Sequence, residues 1–232
     1  MNKEIAIMIE LQRFWDAVLR GREEVEKCRK SIVHWKSRVE DANAGIASLD
    51  ETIKSMKNDI KQKEIELAGL DERAKKLAQK RTMLSTEREL AALDHEVASL
   101  NAARGALEEA LIGLLDGLDG RKAERDEKAR ELQELTEQSS KDIGMLEERA
   151  SRFERTISEN REKFDAAIPR LGTTFRAKFQ KLTLSTNGIA VARVEGEICG
   201  GCRMQVPVHV ASEASREDRV VACTNCGRFI YR

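Results

Sequence analysis

The chain has 232 residues, of which 35% are charged and only 4% are aromatic, with two prolines. This composition is poor for a large globular core and is typical of long helices that expose most of their surface. Lys and Arg number 41, and so do Asp and Glu. The net charge of zero therefore argues against a global attraction to nucleic acid or to a membrane surface.

Two further features indicate the compartment. No segment approaches the roughly 20 apolar residues that cross a bilayer, and the first residues, 1–4, lack the charged and apolar regions of a signal peptide. We therefore expect a cytoplasmic protein that does not associate with a membrane. In that compartment thiols stay reduced, so the five cysteines are interpreted as metal ligands with one to spare.

The first predicted element is a long helix. Apolar residues recur at three- and four-residue spacing from Ile7 to Leu84 in one register, which is broken only by Gly21, Lys63 and Arg81. A mean spacing of 3.5 keeps the apolar stripe on one face of a slightly underwound helix, which is the condition for a coiled coil. The first arm is therefore predicted to be half of a coiled coil.

A second helical arm with the same periodicity is predicted from Leu90 to Phe164. Between the arms, Thr86 followed by Glu89 forms a capping box, which marks the start of a new helix. Arms of similar length joined by a turn near residues 83–86 predict an antiparallel coiled-coil hairpin over residues 1–168. The alternative is one continuous helix that forms a parallel dimer. Three glycines predict a soft or bent segment in the second arm: Gly113, Gly117 and Gly120.

Residues 169–232 form a second predicted domain. Pro169 ends the second arm, a short helix follows over residues 171–181, and Asn187-Gly188 is a turn signal before a strand at residues 189–194. Short strands are predicted at residues 220–222 and 229–231. This region holds ten Lys and Arg against five Asp and Glu, a balance of +5, so it is mildly basic.

Two C-x2-C pairs separated by twenty residues carry the strongest signal in the sequence. Two tight turns that each offer two thiolates can occupy the four vertices of a tetrahedron, so the pairs predict one structural Zn²⁺. Four sulfurs leave no vertex for water or substrate, and so small a module needs its metal to fold. A rubredoxin-like iron site and a redox dithiol are the alternatives. The predicted ligands are Cys199, Cys202, Cys223 and Cys226.

Two other residues could carry chemistry. Cys28 lies on the apolar stripe and is interpreted as a buried small side chain, the alternative being a reactive thiol. His209 lies between the cysteine pairs, where four thiolates make it superfluous. No phosphate-binding loop and no nucleophile–base arrangement occur, so the chain is predicted not to be an enzyme.

The sequence resembles the bacterial family of coiled-coil proteins with a C-terminal four-cysteine zinc ribbon. The resemblance extends along the chain, but only the turn and the ribbon are specific, and residues 229–231 depart from the family's aliphatic pair before an aromatic residue. The matching segments are TERELAALDHE at 86–96, IP at 168–169, GIAVA at 188–192, CGGCRMQVP at 199–207 and CTNCGRFIY at 223–231.

The resemblance implies a non-enzymatic protein that binds a partner of the transcription apparatus, a sigma factor or RNA polymerase. Some family members associate with the sigma factor sigma-54 and influence flagellar or other late gene expression, as chaperones or RNA-binding modulators. Nucleic acid is a second candidate ligand, and no small-molecule substrate is expected. The alternative is a structural spacer whose ribbon only caps the hairpin. From the residues themselves, we select these candidate contacts: Arg170, Arg176, Lys178, Lys181, Arg203, Arg216, Arg219 and Arg228.

Overall fold

The computed structural model describes residues 2–232. Two long helices, α1 (Lys3–Arg81) and α2 (Glu87–Ala167), form a helical hairpin that precedes a small C-terminal sheet, so the predicted fold class is confirmed. The chain is not one continuous helix, because helical structure stops between Arg81 and Glu87. The remaining elements are a short 3-10 helix (Ile168–Arg170), α3 (Thr173–Ser185), β1 (Val191–Glu195), β2 (Ile198–Cys199), α4 (Val208–Glu213), β3 (Val221–Ala222) and β4 (Phe229–Tyr231).

Two compact units can be distinguished. The terminal unit contains Met1–His34 and Asp142–Arg232, and the middle unit contains Trp35–Lys141. The boundary that the sequence suggests between residues 168 and 169 stays a prediction. Across residues 2–232, no helix combines the length and the apolar character that crossing a bilayer requires.

In the middle unit the two arms pack against each other antiparallel. Apolar side chains at the helix interface form a small buried cluster around Ile53, Ile60 and Leu118. Three ion pairs connect the helices at the edges of this interface: Asp50–Arg125, Asp71–Arg104 and Arg81–Asp94. The two residue numbers have the same sum in every pair, so the register does not slip. Exposed pairs contribute little energy, and the apolar stripe therefore holds the arms together.

The turn of the hairpin lies in the same unit. The backbone N–H of Met83 donates to the carbonyl of Lys80 (3.0 Å), which closes the end of α1. Thr86 caps α2, because its Oγ1 accepts a hydrogen bond from the N–H of Glu89 at 3.4 Å and lies 2.5 Å from the Glu89 carboxylate. The cap that the sequence indicates is therefore present. Helix α2 then continues without interruption through Gly113, Gly117 and Gly120.

In the terminal unit, both ends of the chain contribute to one apolar core. Residues 5–11 of α1 pack with the end of α2, with α3 and with the sheet. Met8, Leu11, Leu171 and Phe179 are almost completely buried there. The core forms because α2 returns beside the start of α1, so that the N-terminal turns of α1 cover one side of the C-terminal sheet.

The sheet has the strand order β2-β1-β4-β3, with β1 and β4 parallel and the outer pairs antiparallel. Side chains alternate between the faces of a strand, and in the central strands both faces are covered. Val191 and Phe229 face the helical core, whereas Ala192, Val194 and Ile230 belong to a second apolar cluster that includes the cysteines. This two-sided burial explains the nearly unbroken apolar run at residues 189–192.

A buried polar side chain joins α1 to the start of β1. The Nε2 group of Gln12 donates to the carbonyl of Gly188 and to Asp16, both at 2.7 Å. Its Oε1 accepts from the backbone N–H of Ala190 at 2.7 Å and of Val191 at 3.4 Å. Gln12 therefore satisfies backbone groups that have no strand partner at this position.

A glycine marks a close approach of the two arms in the terminal unit. Gly21 interrupts the apolar stripe in the sequence, but in the structure it is buried and faces Ile157. A Cβ atom at Gly21 would lie 2.7 Å from the Cγ1 atom of Ile157, which is closer than van der Waals contact allows. The absence of a side chain at Gly21 therefore leaves room for the Ile157 side chain to pack against α1.

We predict opposite effects for two glycine-to-alanine substitutions in α1. Gly21→Ala should lower the free energy of unfolding by about 1–3 kcal/mol, because the added methyl group overpacks the contact with Ile157. Gly45→Ala is the control: a Cβ atom at this position would meet nothing within 4 Å, so it should raise stability by about 0.5–1 kcal/mol through helix propensity. Urea unfolding followed by circular dichroism measures both, and equal shifts would contradict the packing at Gly21.

We also predict that Gln12→Leu lowers the free energy of unfolding by about 1–3 kcal/mol, because it leaves the Ala190 N–H and the Gly188 carbonyl buried without partners. Amide hydrogen exchange at Ala190 should accelerate in the variant. Gln62→Leu is the matched control, since Gln62 is exposed and bonds Glu66 at 3.3 Å, and it should change stability by about 0.5 kcal/mol or less. Unchanged protection of Ala190 would contradict this role.

Candidate metal centre

The four predicted zinc ligands converge at one point in the terminal unit. The Sγ atoms of Cys199, Cys202, Cys223 and Cys226 all lie within 4.8 Å of one another. Cys199 and Cys226 are separated by 3.9 Å, and Cys202 and Cys223 by 3.8 Å. A tetrahedral site with Zn–S bonds of about 2.3 Å requires sulfurs about 3.8 Å apart. The four cysteines therefore fit one zinc ion, and the prediction of a single structural zinc is confirmed.

Each cysteine pair lies in a backbone turn with the same hydrogen bonds. In the first turn, the N–H of Arg203 donates to the carbonyl of Cys199 (2.7 Å), and the N–H of Cys199 donates to that of Met204 (3.0 Å). In the second turn, the N–H of Gly227 donates to the carbonyl of Cys223 (2.9 Å), and the N–H of Cys223 donates to the carbonyl of Arg228 (2.8 Å). The two turns face each other, and their four thiols converge on one point. The spacing of the cysteines in the sequence predicts this convergence.

The two turns differ in the residue that adopts the left-handed conformation. Gly227 has φ +72°, whereas the equivalent residue of the first turn is Arg203, with φ +62°. The glycines of the first turn serve close packing instead. A Cβ atom at Gly200 would lie 2.7 Å from the carbonyl oxygen of Arg193, and one at Gly201 would lie 2.5 Å from the Arg228 side chain. The spacing of the motif suggests that Gly200 and Gly201 supply a permissive backbone, but only Gly227 has a positive φ, and the other two glycines are required by close packing.

The protein environment acts differently on two of the four thiols. Burial raises the pKa of Cys199 to about 12. For Cys226 burial also favours the neutral thiol, but hydrogen bonds from the backbone and side chain of Arg228, together with the neighbouring cysteines, outweigh it and lower the pKa to about 7. Zinc binds thiolates, so metal binding releases the remaining protons. Arg228 is therefore part of the surroundings of the metal site.

Arg228 also connects this site to the turn before β1. Its guanidinium donates to the carbonyl oxygens of Ile189 (2.9 Å) and Thr186 (3.1 Å). A second connection joins the turns at Cys199–Cys202 and Cys223–Cys226, which we call the first and second zinc knuckles. The side-chain amide of Asn225 donates to the carbonyl of Gln205 at 3.0 Å. The sequence gives no indication of the role of Asn225, and it suggests that Arg228 contacts nucleic acid or a partner protein. No local pattern signals these bonds, since each partner is distant in the chain.

The structure gives most of the eight candidate contact residues an internal partner. Three form ion pairs, namely Arg170 with Glu10 at 3.0 Å, Arg216 with Asp218 at 3.1 Å, and Arg219 with Glu213 at 3.4 Å. Arg176 donates to the carbonyls of Pro169 and Leu171, and the Lys178 ammonium lies 5.0 Å from the centre of the Phe229 ring. These cations have structural roles within the terminal unit.

Two candidate contact residues differ from the others. Lys181 and Arg203 are exposed, and among residues 2–232 neither has an ion pair or a side-chain hydrogen bond. The function of all eight residues in binding stays a prediction. His209 is exposed on α4 and lies outside the sulfur cluster, whereas Cys28 is buried in α1 with 3% of its surface exposed. Neither residue contributes to the metal site.

Comparison with known proteins agrees with this geometry. The family model described as a C4-type zinc ribbon domain matches residues 198–230. A search of curated protein sequences found no significant match. The helical hairpin and the ribbon together define the class of protein, which is a mainly α-helical protein with a C-terminal C4 zinc ribbon that holds one structural zinc ion.

Three solved structures share the fold along nearly the whole chain. The CT398 protein of Chlamydia trachomatis has a TM-score of 0.88 at 16% identity, with 98% of this chain and 97% of that chain covered. The HP0958 protein of Helicobacter pylori has a TM-score of 0.68 at 16% identity, with 99% and 97% covered. A Mycobacterium smegmatis protein has a TM-score of 0.73 at 18% identity, with both chains fully covered. At these identities the similarity shows the fold alone.

We predict that removing the second cysteine pair unfolds the ribbon but not the hairpin. The purified chain should contain one zinc ion, and Cys223→Ser/Cys226→Ser should contain none, because two thiolates cannot complete the shell. Hydrogen exchange at residues 221–231 should then become fast, while circular dichroism retains most of the helical signal. Cys28→Ala is the control and should keep one zinc ion. Persistent protection of β4 in the metal-free variant would contradict the dependence of the ribbon on zinc.

Proposed function

We propose that this protein is a non-enzymatic adaptor that binds a protein partner of the transcription apparatus through its zinc ribbon. The first support is the chemistry of the metal site. Four sulfurs saturate a tetrahedral zinc ion, so the metal has no vertex for an activated water or a substrate. The zinc therefore stabilises a surface and has no part in a reaction.

The observation that carries the proposal is an exposed apolar surface beside the first zinc knuckle. Ile198, Met204 and Val208 are each more than half exposed, with exposed fractions of 52%, 57% and 65%. They belong to one short segment that folds back on itself, because Ile198 forms a β-bridge with Gln205. Exposed apolar groups on a small, metal-stabilised module are typical of a protein contact. We call these three residues the ribbon surface.

The nature of the partner rests on the resemblance in the turn and ribbon motifs. Some members of that family associate with sigma-54, and we assign a sigma factor or RNA polymerase to this chain as its partner. Nucleic acid is less supported, since six of the eight candidate cations have internal partners. If Arg203 and Lys181 contacted phosphates, affinity should fall with salt, with a logarithmic slope of about −0.7 to −0.9 per contact.

Affinity purification of the full chain from the native cell tests this function. We expect RNA polymerase subunits or a sigma factor to copurify, and Ile198→Gln/Met204→Gln/Val208→Gln should reduce their recovery at least about tenfold, the effect of about 1.4 kcal/mol. The control variant, Val33→Gln/Ile65→Gln/Met145→Gln, removes three apolar side chains that are also exposed and should leave recovery unchanged. Copurification of envelope or cytoskeletal proteins instead would favour the structural spacer.

A further inference from the structure

One segment of α2 in the middle unit combines acidic charge with exposed apolar side chains. Residues 105–120 contain Glu108, Glu109, Asp116 and Asp119 and no Lys or Arg, although acidic and basic residues are equally frequent overall. Residues 39–53 and 89–103 also carry acidic side chains without Lys or Arg, but neither stretch exposes a large apolar side chain as residues 105–120 do. We call residues 105–120 the acidic segment.

The acidic segment is apolar on two faces. On one face Leu111, Leu114 and Leu118 pack against α1 in the helix interface. Ile112 and Leu115 lie three residues apart and so share a face, and they point away from that interface, with 61% and 43% of their surfaces exposed. A coiled coil needs a single apolar face. The second pair is therefore not required by the hairpin.

Carboxylates surround this exposed pair because residues three or four apart in a helix are neighbours. Glu108 and Asp119 are held by ion pairs with Arg104 at 2.9 Å and with Lys122 at 2.8 Å. Glu109 and Asp116 are exposed, and in the described part of the chain neither has an ion pair. Two carboxylates beside Ile112 and Leu115 thus have no ion-pair partner.

The backbone of the acidic segment is also open to close approach. A Cβ atom at Gly105, Gly113 or Gly120 would meet nothing within 4 Å, whereas one at Gly117 would lie 3.1 Å from the Cε atom of Met56. Packing accounts for Gly117 but not for the other three glycines, each of which lowers helix stability. A surface without side chains at these positions allows another backbone to approach α2.

The charge of this surface decides which occupant fits. A second copy of the same surface would bring the same uncompensated carboxylates into contact, and nucleic acid or an anionic membrane would also be repelled. A helix with apolar residues at three- and four-residue spacing, flanked by Lys or Arg, complements both the apolar pair and the charges. We propose that the outer face of the acidic segment is a docking site for a cationic amphipathic helix of a protein partner, separate from the ribbon surface.

Binding of a designed peptide to the full chain tests this site. The probe is a labelled, helix-forming peptide of Leu and Lys at this spacing, measured by fluorescence anisotropy, and a peptide with Glu in place of Lys is its charge-reversed control. We expect the cationic peptide to bind and the anionic one not to bind. Affinity for the cationic peptide should fall as salt is raised. Failure of the cationic peptide to bind at low salt, or equal binding of both peptides, would overturn the proposal.

Variants of the chain then locate the site. Ile112→Gln/Leu115→Gln should weaken binding at least about tenfold, whereas Ile65→Gln/Met83→Gln, which changes exposed apolar residues elsewhere in the same unit, should change it less than about twofold. Glu109→Gln/Asp116→Gln should weaken binding more than Glu127→Gln/Glu134→Gln, which removes the same charge from a different part of α2. Circular dichroism verifies that each variant stays helical. Equal binding by the first pair of variants would show that the peptide contacts another surface.

Discussion

The closure of four thiolates around one zinc ion is the interaction on which the C-terminal structure depends. The first knuckle begins at Cys199, the last residue of β2, and the second lies between β3 and β4. The apolar cluster on this side of the sheet consists mainly of small residues, such as Ala192, Val194 and Ala211, and we expect it to need the metal to fold. β1 and β4 also cover the helical core, so the strands next to the metal site contact the apolar residues at the start of α1.

The backbone of the central strands also constrains the fold. Both faces of these strands are buried, so their polar backbone groups must form hydrogen bonds within the protein. Gln12 supplies those partners at the entrance to β1, and Arg228 supplies others from the side of the metal site. One polar side chain from α1 and one from the second knuckle therefore bind the same turn, residues 186–190. The position of the ribbon relative to the N-terminal turns of α1 follows from these bonds.

The proposed functions use surfaces that the fold stabilises but does not need. The saturated zinc site orders the segment that exposes Ile198, Met204 and Val208, and the helix interface of the middle unit orders the segment that exposes Ile112 and Leu115. The two surfaces differ in charge: the acidic segment lacks cations, whereas the ribbon region is mildly basic. They would therefore select partners of different chemistry. An adaptor requires such separate surfaces.

The sequence by itself determined the arms, the cap at Thr86 and the four ligands, because helical periodicity and the C-x2-C turn are properties of residues close together in the chain. Only the tertiary structure decided which cations are free, why Gly21 interrupts the stripe, and that Gln12 reaches Ala190. It also decided the parallel pairing of β1 with β4 and the exposure of Ile112. These features depend on contacts between residues far apart in the chain, which no local pattern records.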